Sequence, residues 1–300
     1  MNYSSRRSFA LWIAVIFFSC TEKKSPSPEK KSGFINIADS RLYYEVTGEG
    51  DPVLFLHGGF MDRKMWENQV SEFSKNYKVI ICDQRGHGLH YDGDSSYYMY
   101  EGLRILLDTL NIKSATVIGL SMGGAVATDF AIQYPSYTKK LVLVTPGLTG
   151  INSDQAEDST LNNGFALLKD AIEKKKDTPL AAEYFIRSWF DGPIRQPSET
   201  DTTERRKALN MAINCLLTHK FLHWVRMADT PAIKEIHKIT ASTLVILGEK
   251  DNPIIKRNYE TLSKNIPRIR SVVIKGVAHM PNMERPEEFN KIVLDFLREN

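Results

Sequence analysis

Gly119-Leu120-Ser121-Met122-Gly123 is the most informative stretch of this 300-residue chain. It follows the apolar run Ala115–Ile118, and the next residues, 124–127, are typical of the first turn of a helix. G-x-S-x-G at a strand-to-helix junction is the nucleophile elbow signature. The turn strains the serine backbone, and its flanking glycines avoid Cβ clashes. We predict that Ser121 is a nucleophile; an inert serine in a glycine-rich turn is the alternative.

Strand and helix patterns alternate on both sides of this elbow. Apolar runs predict strands at Phe34–Ala38, Leu42–Val46, Pro52–Leu56, Lys78–Cys82, Thr116–Ile118, Leu141–Val144, Thr243–Leu247 and Ser271–Ile274. Helical spacing of apolar residues separates most of these runs. Continuous apolar strands separated by helices indicate a parallel sheet covered on both faces. The predicted fold class is therefore α/β.

Residues 148–234 interrupt the alternation, because they contain no comparable apolar strand. Their aromatic residues, which include Phe185, Trp189 and Trp224, fall in helical patterns. We predict a helical cap inserted over the carboxyl edge of the sheet, where open α/β sheets bind ligands. The three aromatics would bind the substrate, or alternatively pack the cap against the core.

The amino terminus has the pattern of an export signal. Arg6 and Arg7 precede the apolar stretch Phe9–Ser19, which is too short to span a bilayer. We assign residues 1–19 to a signal peptide and residues 20–33, rich in Lys, Ser, Pro and Glu, to a flexible tether. The layout resembles a bacterial lipoprotein signal with Cys20 as the lipidated residue, although Phe17-Phe18 departs from the usual lipobox. Cleavage near Ser19 without lipidation is the alternative, and a twin-arginine route is also open.

Charge and cysteine content exclude several classes of protein. The formal net charge is +3, but residues 1–33 carry +4, so the remainder carries −1 and offers nothing to a nucleic acid. There is no CxxC, no HExxH and no metal-ligand spacing, so neither a cofactor nor a metal is expected. We interpret Cys82 and Cys215 as buried small apolar residues rather than a disulfide.

Five sequence blocks resemble the α/β-hydrolase superfamily, specifically its esterases and related hydrolases with a helical cap. They are His57-Gly58-Gly59-Phe60, Asp83–Gly88, Gly119–Gly124, Leu247–Asp251 and Gly276–His279. The resemblance covers about residues 40–147 and 240–300, and more weakly Trp189–Pro193. It implies a mostly parallel α/β-hydrolase sheet with helices on both faces, with core residues 34–147 and 235–300 and cap residues 148–234.

The candidate catalytic residues combine this resemblance with chemistry. A serine hydroxyl needs a base, and His279, in a loop after the last predicted strand, fits that role. The histidine in turn needs an acid to orient it. Asp251 follows the preceding strand, with Glu249 as its nearest rival and a helix N-cap as its alternative role. The oxyanion donors would be the backbone N–H of Met122 and that of either Gly59 or Phe60.

The sequence therefore predicts a serine hydrolase that cleaves a small-molecule carboxylic ester, lactone or thioester through an acyl-enzyme on Ser121. The same constellation serves C–C bond hydrolases, amidases and acyltransferases, so the substrate stays open. A non-catalytic binding module that kept the fold is the alternative of a different class. The amino-terminal segment, residues 1–33, which we call the leader, predicts an exported protein that is lipid-anchored to a membrane in the periplasm or cell envelope.

Cys20→Ser tests the leader assignment. If Cys20 carries the lipid, this variant is released from the membrane fraction or accumulates unprocessed, because multiple acyl chains on one residue are what holds such a protein stably. Fractionation and intact-mass measurement check this outcome. A wild-type protein whose amino terminus is still Met1 would contradict the assignment.

Overall fold

The computed structural model describes residues 29–94, 97–151, 159–219 and 226–299. Cys20, the predicted signal peptide and the cap residue Trp224 lie outside these described residues. Within them, no helix is both long and apolar enough to cross a membrane.

One eight-stranded sheet forms the centre of the molecule. Its strands are β1 (Lys30–Ile37), β2 (Ser40–Thr47), β3 (Asp51–Leu56), β4 (Tyr77–Cys82), β5 (Ala115–Leu120), β6 (Thr138–Val144), β7 (Ser242–Gly248) and β8 (Ile269–Ile274). They are arranged in the order β1-β2-β4-β3-β5-β6-β7-β8. β1 and β2, and β2 and β4, pair antiparallel, whereas every pair from β4 to β8 is parallel. The predicted mostly parallel α/β sheet is confirmed.

Helices cover both faces of this sheet. They are α1 (Glu67–Phe73), α2 (Met99–Thr109), α3 (Met122–Gln133), α4 (Ser159–Asp170), α5 (Thr178–Trp189), α6 (Thr202–Thr218), α7 (Pro253–Asn265), α8 (Pro281–Glu284) and α9 (Pro286–Arg298). Alternate residues of β3 belong to different apolar cores: Phe55 packs with α1 and α9, and Leu54 packs with α2, α3 and α7. This alternation follows from the two-residue period of a strand.

α4, α5 and α6 lie between β6 and β7 and form the cap. Asp177 and Asp201 cap the amino termini of α5 and α6 by accepting backbone hydrogen bonds, at 2.9 Å from Leu180 N and 2.9 Å from Thr203 N respectively. The apolar sides of α5 and α6 pack into the same core as α1 and α9. The inserted segment is therefore helical, as predicted, and shares a core with the sheet domain.

β1 begins earlier than predicted. Residues 30–33, assigned above to the tether, pair with residues 44–47 of β2, from Lys30 opposite Thr47 to Gly33 opposite Tyr44. The side chain of Lys30 also binds Glu45 at 2.7 Å. The boundary was missed because these residues are polar, and an edge strand does not require apolar residues when its partner supplies the hydrogen bonds.

The turn between β5 and α3 leaves no room for side chains at two positions. A Cβ atom on Gly119 would lie 2.2 Å from Gly123 O, and one on Gly123 would lie 2.4 Å from Leu56 O. β5 ends at Leu120 and α3 begins at Met122, so a single residue makes the whole turn. The two glycines let α3 press directly against β3 and β5.

Gly123→Ala should lower the free energy of unfolding by about 1–3 kcal/mol, because the backbone must shift to admit the methyl group. In an ordinary helix the same substitution raises the free energy of unfolding by about 0.5–1 kcal/mol. The sign of the change therefore shows whether Gly123 is tightly packed. Gly59→Ala is the matched control, since its new Cβ would meet nothing nearer than Met122 Cβ at 4.0 Å. Denaturant unfolding measures both variants, and equal stabilities would contradict the packing argument.

Candidate active site

Ser121 occupies the strained turn at the carboxyl end of β5. Its backbone has φ 54° and ψ −114°, a region that side chains rarely adopt. Three backbone hydrogen bonds hold it there. Ser121 N–H donates to Val144 O at 3.0 Å, and Ser121 O accepts from the N–H groups of Ala125 at 3.0 Å and Gly147 at 2.9 Å. The position of the serine is therefore set by β6 as well as by its own turn.

His279 and Asp251 form a buried pair at the carboxyl ends of β8 and β7. His279 Nδ1 lies 2.9 Å from Asp251 Oδ2, and the two residues are 2 % and 0 % exposed. A carboxylate only accepts, so Nδ1 carries a proton, and in the neutral form of the ring Nε2 then keeps its lone pair. Nε2 is buried and makes no hydrogen bond with any described residue. This is the protonation pattern that a general base requires.

Glu249, the rival acid, is directed elsewhere. Its carboxylate accepts from Gly276 N–H at 3.1 Å and contacts Lys250 at 3.3 Å. These bonds lower its pKa and keep it charged on the surface. Of the two carboxylates, the structure brings Asp251 to His279.

Thr145 links the serine and the histidine, and the sequence analysis missed it. It follows Val144, whose carbonyl binds Ser121, and its Oγ1 donates to His279 O at 2.9 Å. Thr145 has φ 40°, another left-handed backbone conformation. The sequence shows only that Thr145 lies between the end of β6 and Pro146. This position does not predict a hydrogen bond with His279, which is 134 residues away in the chain.

The two candidate oxyanion donors of the 57–60 loop have different surroundings. Phe60 N–H already donates to His87 Nε2 at 3.1 Å. Gly59 lies next to Met122, which begins α3, and the first N–H groups of a helix have no partner within the helix. Met122 and Gly59 therefore form the pair of N–H donors that the geometry favours, and Phe60 is the less suitable alternative.

Two buried neutral histidines order this loop. Burial lowers the pKa of His57 to about 4 and that of His87 to about 3. Both rings therefore keep one nitrogen as an acceptor at neutral pH: His57 Nε2 accepts from Gln84 N–H at 2.9 Å, and His87 Nε2 accepts from Phe60 N–H. Both histidines therefore hold backbone in place.

Two aromatic side chains of the cap contact the loops of the site: Trp189 packs against His279, and Phe185 packs against Phe60. The ring centroids of Trp189 and His279 are 4.3 Å apart, and those of Phe185 and Phe60 are 4.6 Å apart. Of the three aromatics predicted to bind substrate, these two are therefore at the site, and Trp224 lies outside the described residues. In the part of the chain that the structure describes, no group of three or more His, Cys, Asp or Glu side chains is arranged to hold a metal, and Cys82 and Cys215 are free and buried.

Comparison with known proteins agrees with this architecture. At 28% identity the chain resembles a 2-hydroxy-6-oxononadienedioate/2-hydroxy-6-oxononatrienedioate hydrolase of Comamonas testosteroni, over 87% of this chain and 92% of that protein. A 2-hydroxy-6-oxo-6-phenylhexa-2,4-dienoate hydrolase of the same organism is 26% identical over 88% and 93% of the two chains. Among solved structures, a thermophilic esterase from Thermogutta terrifontis has a TM-score of 0.74 at 24% identity, covering 89% of this chain and 98% of that one.

The sequence profile of the alpha/beta hydrolase fold matches residues 51–286, which include the elbow, the acid and the histidine loop. The sheet order, the inserted cap and the serine at the end of β5 agree with that match. The chain therefore belongs to the alpha/beta hydrolase family.

Proposed function

We propose that this hydrolase is a serine enzyme that cleaves a carboxylic ester, or a lactone or thioester, through an acyl-enzyme on Ser121. One observation carries the proposal: His279 binds Asp251 through Nδ1 and leaves Nε2 unpaired. Thr145 ties the loop of His279 to the end of β6, where Val144 O accepts from Ser121 N–H. A buried imidazole in this state is prepared to accept the proton of a serine hydroxyl.

Each step of the reaction then has a residue. Ser121 Oγ attacks the carbonyl carbon as its proton passes to His279 Nε2, and Asp251 stabilises the imidazolium. The N–H groups of Met122 and Gly59 bind the oxyanion. The tetrahedral intermediate collapses, and the leaving alcohol takes the proton from His279. Water, deprotonated by His279, then attacks the acyl-enzyme, which releases the acid and restores Ser121.

C–C bond hydrolysis is the second candidate, and the names of the two curated relatives favour it. Those names describe carboxylate-bearing dienoates, whose recognition would use a cation. In the cap, however, Arg187 and Arg205 bind Asp191 at 2.7 and 2.9 Å, and Arg195 binds Glu284 at 2.6 Å. The ring that packs against His279 is instead the indole of Trp189, which supports an uncharged ester.

We also propose that the enzyme works outside the cytoplasm, held to a membrane through Cys20. The support is the basic and apolar pattern of the leader. The short stretch between Cys20 and the start of β1 at Lys30 would then keep the enzyme close to the membrane surface.

Ser121→Ala should abolish turnover and covalent labelling by a fluorophosphonate, while thermal unfolding stays cooperative. Removal of a triad member typically costs about 10⁴-fold or more in kcat. Ser271→Ala is the matched control, because Ser271 is exposed and its hydroxyl bonds Ser263 rather than the site. A wild-type protein that no fluorophosphonate labels would favour the non-catalytic binding module.

A substrate panel separates the two candidate reactions. With p-nitrophenyl esters from acetate to decanoate, kcat/KM should rise several-fold per methylene until the pocket is full, since each buried CH₂ contributes about 0.8 kcal/mol. A kcat/KM that does not change with acyl chain length would mean that the cap does not bind the acyl group. Hydrolysis of a 2-hydroxy-6-oxo dienoate, with no ester cleaved, would replace the ester assignment by C–C hydrolysis.

A further inference from the structure

One cap segment touches both loops that carry the acid and the base. It is residues 188–195, Ser188-Trp189-Phe190-Asp191-Gly192-Pro193-Ile194-Arg195, which we name the clasp. It comprises the end of α5 and the turn that follows. Its central residues belong to the cap stretch with weak resemblance to other capped hydrolases, and the reaction described above does not require most of them.

The clasp contacts the loop that carries Asp251 through the backbone of the clasp. Asn252 is fully buried and its Nδ2 donates to Ser188 O at 2.8 Å, while its own N–H donates to Asp251 Oδ1 at 2.7 Å. Gly192, at φ 76°, lies so close that a Cβ there would be 2.7 Å from Lys250 O. The residues on both sides of Asp251 are therefore held by the cap.

The clasp also contacts the histidine loop, through a buried ion pair. Arg195 donates to both oxygens of Glu284, at 2.6 and 3.0 Å, and to Gly276 O at 3.0 Å. Glu284 Oε1 in turn accepts from Ala278 N–H at 3.1 Å, and a Cβ on Gly192 would lie 2.9 Å from Ala278 Cβ. Bidentate binding of this kind fixes geometry as well as charge. The loop is thus bound to the cap on both sides of His279.

Trp189 completes the contact at the ring itself. Its indole lies 4.3 Å from the imidazole of His279, tilted by 45°. This contact restricts rotation of the imidazole. An aromatic ring at this distance also favours a cation, so it would stabilise the imidazolium that forms when His279 takes a proton.

We propose that the clasp positions Asp251 and His279, and that Trp189 is a positioning residue for the base as well as a wall of the substrate pocket. The proposal rests on the proposed serine-hydrolase function. It makes the cap part of the catalytic apparatus: a cap that shifts would disturb the triad, and misplacement by about 1 Å can cost on the order of 10²-fold in rate.

The experiment compares three variants of the full chain. Trp189→Leu removes the aromatic ring beside His279, Trp189→Phe keeps one, and Phe165→Leu is the matched control. Phe165 contacts Trp189 edge-on, with ring centroids 6.2 Å apart, and is 41 % exposed. The measurements are kcat and KM for the shortest and longest esters that are hydrolysed, and the rate of fluorophosphonate labelling.

Trp189→Leu should lower kcat about tenfold or more by the same factor for both esters, with KM within about twofold, and should slow labelling equally. Trp189→Phe should recover most of that loss, and Phe165→Leu should match the wild type. The proposal would be overturned if the only defect of Trp189→Leu were a raised KM for the long ester, with kcat and labelling rate unchanged.

Arg195→Lys provides a second test that does not depend on Trp189. It retains the charge but loses the forked contact with Glu284, so kcat should fall for both esters while circular dichroism remains that of a folded protein. Wild-type kcat in this variant would overturn the role of the ion pair. Failure of the wild type to react with fluorophosphonate would instead contradict the serine-hydrolase function on which the proposal rests.

Discussion

The close approach of α3 to β3 and β5 is the constraint on which the site depends. A Cβ on Gly123 would lie 2.4 Å from Leu56 O, and one on Gly119 would lie 2.2 Å from Gly123 O, so neither position admits a side chain. This approach forces the chain to reverse within one residue, and Ser121 therefore adopts φ 54°. The same geometry brings the amino terminus of α3 beside the 57–60 loop. A single packing constraint thus places the proposed nucleophile and both proposed oxyanion donors.

Burial determines the protonation states of two histidines near this turn. His57 and His87 are held neutral because burial makes their charged forms costly, and their ring nitrogens are therefore available as acceptors for backbone N–H groups. The buried charge of Arg63 is compensated by two carboxylates. Arg63 binds Glu45 and Asp83 at 2.8 and 2.7 Å, which ties the loop after β3 to the end of β4. The result is a rigid frame around a serine that is itself strained.

The cap is joined to the sheet domain by more than apolar contact. Its helices share a core with α1 and α9, and Arg195 and Asn252 connect it to the loops of His279 and Asp251. Such polar contacts are costly to break when buried, because each would leave unpaired groups. A cap held in this way limits how the site opens and couples substrate access to the geometry of the proposed triad.

The α/β class, most strands and the helical cap could be predicted from the sequence, because periodicity is a local property. The sequence also predicted the three residues of the proposed triad, from motifs at strand ends and from the family resemblance. It left Gly59 and Phe60 undistinguished, placed the start of β1 too late, and missed Thr145 and Arg195. These depended on contacts between distant segments: Phe60 N–H is bound by His87, Lys30 finds its partner in Glu45, and Thr145 reaches His279 across 134 residues. These contacts are set by the tertiary fold. A hydrogen bond between two loops forms only where the whole chain brings the loops together, and the sequence of either loop does not contain that information.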